Sequence, residues 1–478
     1  MHFPPSSRRQ FLGKMLAMAG SGSVPFTLNL AAMGNAAAQG ATDYKAIVCL
    51  FLNGGNDHFN TILATDNTSW NEYRRLRATA DSGSIALPGV GSVGGVLPIV
   101  PNAPQAGRSY ALHPSLQPLK TLFDAGRVAV LANVGTLVQP LTLAQYRAGG
   151  VAVPPRLFSH NDQQAMWQSS QTEQTAGAGW GGRIGDLLAS ANGNSAFTCV
   201  STFGNARFLS GRSVRQYQLS GASAPPITRL TDGLFGVPAS ANPLRQIVTG
   251  DHADPFRKEH AAVTARAISS QATMASAMLG AGGAGVPDPL PYINPNTGQA
   301  AVNPLAVQLQ TVARIIGGRN TLGLKRQVFY VSLGGFDTHD FQARNQADLL
   351  AKVAHAMAYF DSALANLQGN DMRKQVTLFT ASDFGRTFAS NGDGTDHGWG
   401  AHHFIMGGAV KGKNIYGSMP VTGIGHDLDV GSGSLLPTTS VDQYGATLAS
   451  WFGLSATQIA DVFPNIGNFS IRNLGFMG

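Results

Sequence analysis

The chain has 478 residues, 43% of them hydrophobic and only 12% charged, and its formal net charge is +7. This length and apolar content can bury a large core, in one big domain or two. The lysines and arginines form no dense stripe, which argues against a nucleic-acid-binding surface. No run of about twenty apolar residues follows the N-terminal region, so we expect no stable membrane span.

The segment 1–38 has the features of an export signal. Residues 7–12 read SRRQFL, as in a twin-arginine signal, and a moderately apolar, glycine- and alanine-rich stretch leads to three alanines at 36–38, a small-residue cleavage site. The segment contains three cations and no acid, so its removal lowers the net charge from +7 to +4. We therefore predict export by the twin-arginine machinery, to a periplasmic or secreted location.

The first predicted strand covers residues 44–52 (YKAIVCLFL), which are apolar throughout and suit the centre of a sheet covered on both faces. Asp57 and Asn60 follow this strand, behind two glycines. Open α/β sheets bind ligands beyond the carboxyl ends of their strands. Asp57 is therefore a candidate metal ligand and Asn60 a candidate substrate-binding residue. An aspartate that only stabilises a turn explains Asp57 equally well.

A helix at about 115–125 and a buried strand at 127–133 come next, in the strand–helix–strand order of a parallel sheet. Ser159 and His160 then stand at the start of another predicted helix. Ser159 is either the N-cap of that helix or a nucleophile, because a helix N-terminus stabilises an anion. His160 is a candidate substrate-binding residue.

The middle of the chain is less regular. Residues 180–190 predict a helix, whereas residues 205–300 are weakly patterned apart from a predicted helix at 252–279. We treat 205–300 as an insertion. A further helix is predicted at 304–317, and residues 39–478 as a whole are predicted to form one domain that contains the insertion.

Residues 327–333 (QVFYVSL) predict another buried strand, and again two glycines and a carboxylate follow it. Asp337 and His339 form a D-x-H pair, whose two side chains can point to the same side of an extended segment. Both are therefore candidate metal ligands. A long helix is predicted at about 341–367.

Residues 376–408 hold the densest group of acidic and imidazole side chains. Apolar runs open and close this stretch, with Gly, Asn and Ser between them, so we predict one long loop between two buried strands. Carboxylate oxygen and neutral imidazole nitrogen are the usual metal ligands other than thiolate. The candidates here are the metal ligands Asp383, His397 and His402, the catalytic residue Arg386 and the substrate-binding residue His403.

Parallel strands bring their carboxyl ends to one edge of a sheet, so these distant side chains are expected to converge. We predict a doubly wound α/β fold, with a mostly parallel sheet flanked by helices and one or two divalent metal ions at that edge. Two ions about 4 Å apart can clamp the attacking and leaving oxygens of a displacement. Arg386 could hold an anionic oxygen through paired hydrogen bonds.

Several motifs in order resemble one exported bacterial family. They are GGNDHFNT after the first strand, FSHNDQQAMW, LGGFDTHDFQ, and SDFGRT followed by TDHGWGAHHF and GGAVKG. Together with the twin-arginine segment they resemble domain-of-unknown-function family 1501, over nearly the whole chain after that segment. That family in turn resembles the alkaline phosphatase and sulfatase superfamily. The resemblance implies an alkaline-phosphatase-like core and metal-dependent chemistry on phosphate or sulfate esters.

The superfamily pattern begins with an aspartate after the first strand, a nucleophile at a helix start and a later Asp-and-His pair. By this resemblance Asp57 matches the aspartate and Ser159 the nucleophile. Asp337 and His339 match the pair, although phosphatases have a longer gap between the two residues.

The superfamily pattern ends with an Asp-His dipeptide and a last histidine. Asp383 matches the aspartate of the dipeptide, but Phe384 stands where its histidine would be, so His397 or His402 would supply that ligand or the last one. This departure implies an incomplete metal site, or one for Ca²⁺, Mg²⁺ or Mn²⁺ rather than Zn²⁺. Neither cysteine begins a C-x-P-x-R run, which argues against a standard formylglycine sulfatase.

The leading hypothesis is an exported metal-dependent hydrolase, in which Ser159 attacks small anionic esters or sulfated or phosphorylated glycans. The alternative, motivated by Phe384, is a non-catalytic exported binding or assembly protein on a degenerate hydrolase scaffold. A metal-free serine hydrolase that uses Ser159 and His160 is weaker. Adjacent residues at a helix start rarely face each other, and the sequence has no G-x-S-x-G elbow.

Overall fold

The computed structural model describes residues 43–79, 83–172, 177–219, 224, 226–234, 236–279, 283 and 285–478. The predicted export signal at 1–38 lies outside these residues. Across the described ranges, no helix is both long enough and apolar enough to cross a membrane.

Strands make up the centre of the molecule. They are β1 (Lys45–Leu52), β2 (Ile62–Ala64), β3 (Leu97–Ile99), β4 (Tyr110–Leu112), β5 (Val128–Gly135), β6 (Cys199–Ser201), β7 (Tyr217–Gln218), β8 (Tyr292–Ile293), β9 (Ala300–Ala301), β10 (Arg326–Leu333), β11 (Val376–Ser382), β12 (Arg386–Ser390), β13 (Thr395–His397), β14 (Ala401–Met406), β15 (Ile415–Tyr416) and β16 (Thr439–Ser440).

Helices surround these strands. They are α1 (Asn67–Arg77), α2 (Gln117–Asp124), α3 (Leu143–Ala148), α4 (His160–Ser169), α5 (Trp180–Leu188), α6 (Pro243–Thr249), α7 (Pro255–Leu279), α8 (Pro304–Gly317), α9 (Arg319–Leu322), α10 (Gln342–Ala365), α11 (Val441–Phe452) and α12 (Ala456–Val462).

The central sheet has the strand order β15-β5-β14-β11-β1-β10-β6-β7, with β16 also paired to β5. β1 lies in the middle and pairs in parallel with β10 on one side and β11 on the other. β14 alone runs antiparallel to both of its neighbours in this sheet, β11 and β5. The fold is therefore mixed α/β with a largely parallel central sheet, as the buried strand patterns predicted.

Both faces of the sheet are covered. Alternate residues of β1 enter two different apolar clusters, with Val48 and Leu50 in one and Ile47 and Cys49 in the other. Helices α8 and α10 pack against the first face, and α5 and α11 against the second. Burial of each Val, Leu or Ile side chain contributes roughly 1.5–3 kcal/mol. A strand buried on both sides needs no polar alternation, which explains the continuous apolar run of β1.

The stretch 376–408 differs from the single long loop that we predicted. β12 and β13 form an antiparallel hairpin, and β14 begins at Ala401, within the expected loop. The residues between β12 and β13 include two glycines, Gly392 and Gly394, and Gly392 has a positive φ of 139°. The glycine content therefore reflects a tight turn and close packing rather than one extended loop.

Candidate metal centre

The candidate site lies beyond the carboxyl ends of β10 and β11. β10 ends at Leu333 and β11 at Ser382, and the segments that follow carry Asp337 and Asp383. Gly54, just after β1, has a φ of +115°, and a Cβ at this position would collide with the backbone of Asp337. Glycine is required there for the loops after β1 and β10 to meet. The start of α4 and strand β13 supply the remaining groups.

His160, the first residue of α4, is held by Asp383. Its Nδ1 lies 2.6 Å from Asp383 Oδ2, which also accepts a hydrogen bond of 2.8 Å from Gln164 Nε2. Asp383 Oδ1 accepts a bond of 3.1 Å from the amide of Gly54. These contacts assign the ring proton to Nδ1. The Nε2 lone pair of His160 is then left buried without a hydrogen-bond partner, 3.4 Å from Asp337 Oδ2.

Two more imidazoles have the same arrangement. His397 Nδ1 lies 2.7 Å from the carbonyl oxygen of Phe158, and His339 Nδ1 lies 3.3 Å from Asp396 Oδ1. Their Nε2 atoms lie 3.3 Å and 3.1 Å from Asp337 Oδ1, respectively, and 2.9 Å from each other. Two facing lone pairs at this distance repel unless a proton or a cation lies beside them.

Arg386 fixes the Asp337 carboxylate. Burial acts to raise the pKa of Asp337, but the hydrogen bond and positive charge of Arg386 outweigh it and hold that pKa below its usual value. Asp337 is therefore ionised at neutral pH. Arg386 is fully buried, and three further donors bond the carbonyl oxygens of Gly54, Gly55 and Thr395. Four of its five N–H donors are thus engaged inside the protein, and the catalytic role of Arg386 stays a prediction.

The donor set fits a metal ion. His160 Nε2, His397 Nε2 and a carboxylate oxygen of Asp337 lie within 4.8 Å of one another, and His339 stands beside them at the exposed side. In known metal sites, a ligating histidine almost always donates its other ring N–H to a carboxylate or a carbonyl. All three imidazoles here do so, and their free nitrogens approach one carboxylate.

One sequence family matches most of this chain. The family described as "Protein of unknown function (DUF1501)" matches residues 44–462. The chain belongs to this family. The match confirms the resemblance drawn from the sequence motifs. No match was found among curated protein sequences.

Solved structures resemble this DUF1501 protein only distantly. Ps i-CgsB, solved in complex with k-i-k-neocarrahexaose, has 9% identity and a TM-score of 0.36, over 87% of this chain and 74% of that one. A Bacteroides thetaiotaomicron protein from work on glycosaminoglycan metabolism has 10% identity and a TM-score of 0.33, over 89% and 74%. BT1596, a 2-O GAG sulfatase, has 10% and 0.30, over 88% and 75%. Similarity at this level says nothing about substrate or activity.

Asp57 and Asn60 lie in a buried network of the DUF1501 protein rather than in the cluster. Arg77 Nη2 donates to Asp57 Oδ1 at 3.1 Å, and both side chains of this ion pair are fully buried. Gln342 Nε2 donates to Asp57 Oδ2 at 2.6 Å, and Asn60 Oδ1 accepts from the Tyr73 hydroxyl at 2.8 Å and from Arg77. These contacts place both side chains outside the cluster, and the metal-binding role of Asp57 and the substrate-binding role of Asn60 stay predictions.

His402 and His403 are neighbours in β14, so their side chains point to opposite faces of the sheet. His402 Nδ1 accepts a bond of 3.0 Å from the Asn133 amide, and its ring packs against His58 at 4.7 Å. His403 packs against Trp167 on the other face, at 5.7 Å. Neither histidine joins the cluster. Both histidines lie in a buried strand where a loop was expected, and the metal-binding role of His402 and the substrate-binding role of His403 stay predictions.

These two histidines lead to a prediction about acid stability. Burial lowers the pKa of His402 and that of His403 to about 3 each. Between pH 6.5 and 3 the unfolded chain binds protons at these sites and the folded chain does not. Each imidazole therefore lowers the free energy of unfolding by up to about 1.4 kcal/mol per pH unit of acidification. We expect His403→Gln to flatten this pH dependence in chemical denaturation between pH 7 and pH 4. An unchanged slope would contradict the prediction, and His260→Gln on the exposed face of α7 is the control.

Ser159 is the N-cap of α4, but its hydroxyl makes no hydrogen bond to the helix backbone. It donates instead to Asp162 Oδ2 at 2.6 Å. The residues on either side of it both touch the cluster, because the Phe158 carbonyl binds His397 and His160 faces Asp337. The nucleophilic role of Ser159 stays a prediction.

Sequence reasoning missed three supporting groups. Gln164, Asp396 and the Phe158 carbonyl hold the clustered side chains in place, and His160, predicted to bind substrate, lies in the cluster itself. One signal was available in the sequence. His160 and Gln164 are four residues apart, which places them on the same face of a helix, and both reach Asp383.

Proposed function

We propose that this chain is a metal-dependent hydrolase of phosphate or sulfate esters, built on a doubly wound, alkaline-phosphatase-like scaffold. One divalent ion would be held by His160, Asp337 and His397, with His339 as a further ligand at the exposed side. The observation that carries the proposal is the approach of three imidazole Nε2 atoms to one ionised carboxylate. This arrangement suits a single ion rather than two, because Asp57 and His402 lie elsewhere.

The donor set also bears on the identity of the ion. Imidazole nitrogen suits Zn²⁺ and similar transition ions, whereas Ca²⁺ and Mg²⁺ prefer an all-oxygen set. We therefore favour Zn²⁺, with Mn²⁺ as the next choice. A divalent ion at this position would supply Lewis acidity toward an ester oxygen and neutralise charge that develops there.

Residues of the chain would supply the nucleophile, accept its proton and orient the metal ligands. Ser159 would attack phosphorus or sulfur as the bond to the ester oxygen breaks, and its proton would pass to Asp162, which already accepts its hydrogen bond. The departing alkoxide would take up a proton from Asp162 or water, and a water molecule would then cleave the serine ester and restore the Ser159 hydroxyl. Asp383 and the Phe158 carbonyl would orient two of the ligating rings. Arg386 would keep Asp337 ionised and in place. We also propose export by the twin-arginine pathway, which the segment 1–38 supports.

The first test is the metal content of protein purified without chelators, measured by elemental mass spectrometry and followed by a screen of ester substrates. Sugar sulfates, sugar phosphates and 4-nitrophenyl esters should be included. We expect one equivalent of a divalent metal and turnover of at least one ester class. No bound metal, even after reconstitution with Zn²⁺ or Mn²⁺, would overturn the proposed centre.

Ser159→Ala tests the nucleophile. We expect kcat to fall by about 10³-fold or more, because the attacking atom is lost. The unfolding free energy should change by less than about 1 kcal/mol, because the hydroxyl does not cap the helix. Asn161→Ala, on the same helix turn, is the matched control. Full activity in Ser159→Ala would contradict the assignment of the nucleophile.

The second candidate is a non-catalytic metal-containing binding protein on the same scaffold. The observation that favours it is Arg386, four of whose five donors are taken by backbone carbonyls and Asp337 rather than left for an anionic substrate. It predicts bound metal without turnover of any ester in the screen. The metal measurement and the substrate screen together therefore separate the two functions.

A further inference from the structure

Phe341 is a solvent-exposed aromatic residue close in sequence to the candidate metal ligands. Its side chain is 62% exposed, and it follows His339 by two residues. The Phe341 amide donates a bond of 2.9 Å to Asp393 Oδ2, and Asp393 lies three residues before Asp396, the partner of His339. The segments 337–341 and 393–397 therefore run side by side, and the backbone of Phe341 lies beside the segment that carries His397.

The conformation of Phe341 is costly for the fold. Its backbone is left-handed, with φ 53° and ψ 31°, a region that bulky residues rarely occupy and that glycine enters freely. The ring belongs to none of the hydrophobic clusters that the described residues form. A strained backbone and an exposed apolar ring both oppose folding. Strain of this kind collects at functional sites, so we look for the use of the ring in binding.

The side chain of Arg344 packs against the Phe341 ring. The guanidinium carbon of Arg344, one turn into α10, lies 5.5 Å from the centre of the Phe341 ring. An aromatic face binds the apolar face of another ring, and a guanidinium donates hydrogen bonds to hydroxyl oxygens. Together they suit a six-membered ring that carries several hydroxyl groups. Small acyclic esters would gain nothing from this surface.

We propose that Phe341 and Arg344 form a platform that binds the sugar ring of a sulfated or phosphorylated substrate. The inference rests on the proposed function, because it places the ester of that sugar at the metal centre. The platform selects sugar esters over acyclic esters of the same charge. It contributes affinity and takes no part in bond breaking.

The test is binding of sugar and acyclic esters to the full metal-loaded chain that carries Ser159→Ala, which by the proposed function cannot turn them over, by calorimetry. The probes are glucose 6-sulfate and glucose 6-phosphate, with ethyl sulfate and glycerol 3-phosphate as acyclic partners and 4-nitrophenyl sulfate as an aryl partner. The variants, made in the same background, are Phe341→Gly, Phe341→Trp and Arg344→Gln. The matched control is Phe256→Ala, which removes another exposed phenylalanine on α7.

With Phe341 in place, we expect the protein to bind the sugar esters about tenfold more tightly than the acyclic ones. Phe341→Gly should abolish this preference, Phe341→Trp should keep it, Arg344→Gln should weaken binding of the anionic sugars, and Phe256→Ala should change nothing. Phe341→Gly should also keep or raise the thermal unfolding midpoint, because glycine relieves the strain. A phenylalanine with only a structural role would lower that midpoint when removed.

Several results would overturn the platform. They are equal affinity for sugar and acyclic esters with Phe341 in place, unchanged preference in Phe341→Gly, and tight binding of the aryl ester alone. The platform and the hydrolase function can be contradicted independently. If wild type and Phe341→Gly hydrolyse sugar esters with the same KM, the platform is contradicted and the hydrolase function is supported. If the protein shows a sugar preference that depends on Phe341 but turns over no ester, the hydrolase function is contradicted and the platform is supported.

Discussion

Replacing His397 by alanine is expected to remove the metal ion and all turnover while leaving the fold intact. His397 supplies one of three imidazole nitrogens at the proposed centre, and its Nδ1 lies 2.7 Å from the Phe158 carbonyl oxygen, which fixes its ring. Loss of a group that merely supports a ligand typically costs 10–100-fold in metal affinity or activity, so loss of a ligand should cost at least about 100-fold. The measurement is metal content per chain after dialysis, with turnover of the best ester from the screen.

The matched control is His260→Ala, which removes an exposed histidine on α7 that is not part of the candidate cluster. It should keep one equivalent of metal. The metal-free unfolding free energy of His397→Ala should lie close to that of the metal-free wild type, because His397 is only partly buried. Metal retained at full occupancy in His397→Ala would refute the centre, whereas a loss of folding would call for His397→Gln as the more conservative replacement.

The order and bounds of the larger elements were largely predictable. The expected helix at 304–317 coincides with Pro304–Gly317 because its signals are local. Asn303 accepts backbone bonds at the N-cap, Pro304 occupies the first turn, and Gly318 follows the last residue. The continuous apolar runs at β1, β10 and β11 likewise predicted strands that are buried on both faces.

The members of the site were less predictable, because identical local signals led to different places. Asp57 and Asp337 each follow a buried strand and two glycines. Asp57 enters a short turn and meets Arg77, twenty residues later, whereas Asp337 stays at the sheet edge and meets three histidines. Which cation or imidazole contacts a given aspartate depends on how distant segments of the chain pack. The residues next to that aspartate in the sequence therefore do not predict its partner.

The histidines of 376–408 show the same limit. A glycine-rich stretch between apolar runs predicts a loop, yet β14 forms there because β5 and β11 offer open edges on either side. Pairing on both edges overrides the weak local preference for a loop. The alternation of side chains in a strand then separates His402 from His403, and of the histidines in this stretch only His397, in the hairpin before β14, reaches the candidate metal centre.

Asp57→Ala is expected to destabilise the whole fold, in contrast to the effect of removing a metal ligand. It leaves the guanidinium of Arg77 buried without its counter-ion, and breaking a buried pair in this way costs about 3–5 kcal/mol. The loss is a large part of the 5–15 kcal/mol typical of a domain. It should be visible as a lower unfolding free energy of metal-free protein in urea.

A compensating variant separates the two roles of Asp57. Asp57→Ala combined with Arg77→Met removes both charges of the pair and should recover much of the lost stability, since buried ion pairs are often replaced by apolar residues at little cost. The folded double variant should still bind one equivalent of metal, because Asp57 lies outside the ligand set. Gln342 links Asp57 to Thr395, two residues before His397, so metal affinity can weaken moderately. If the double variant regains stability but binds no metal, the result would indicate that Asp57 is a metal ligand after all.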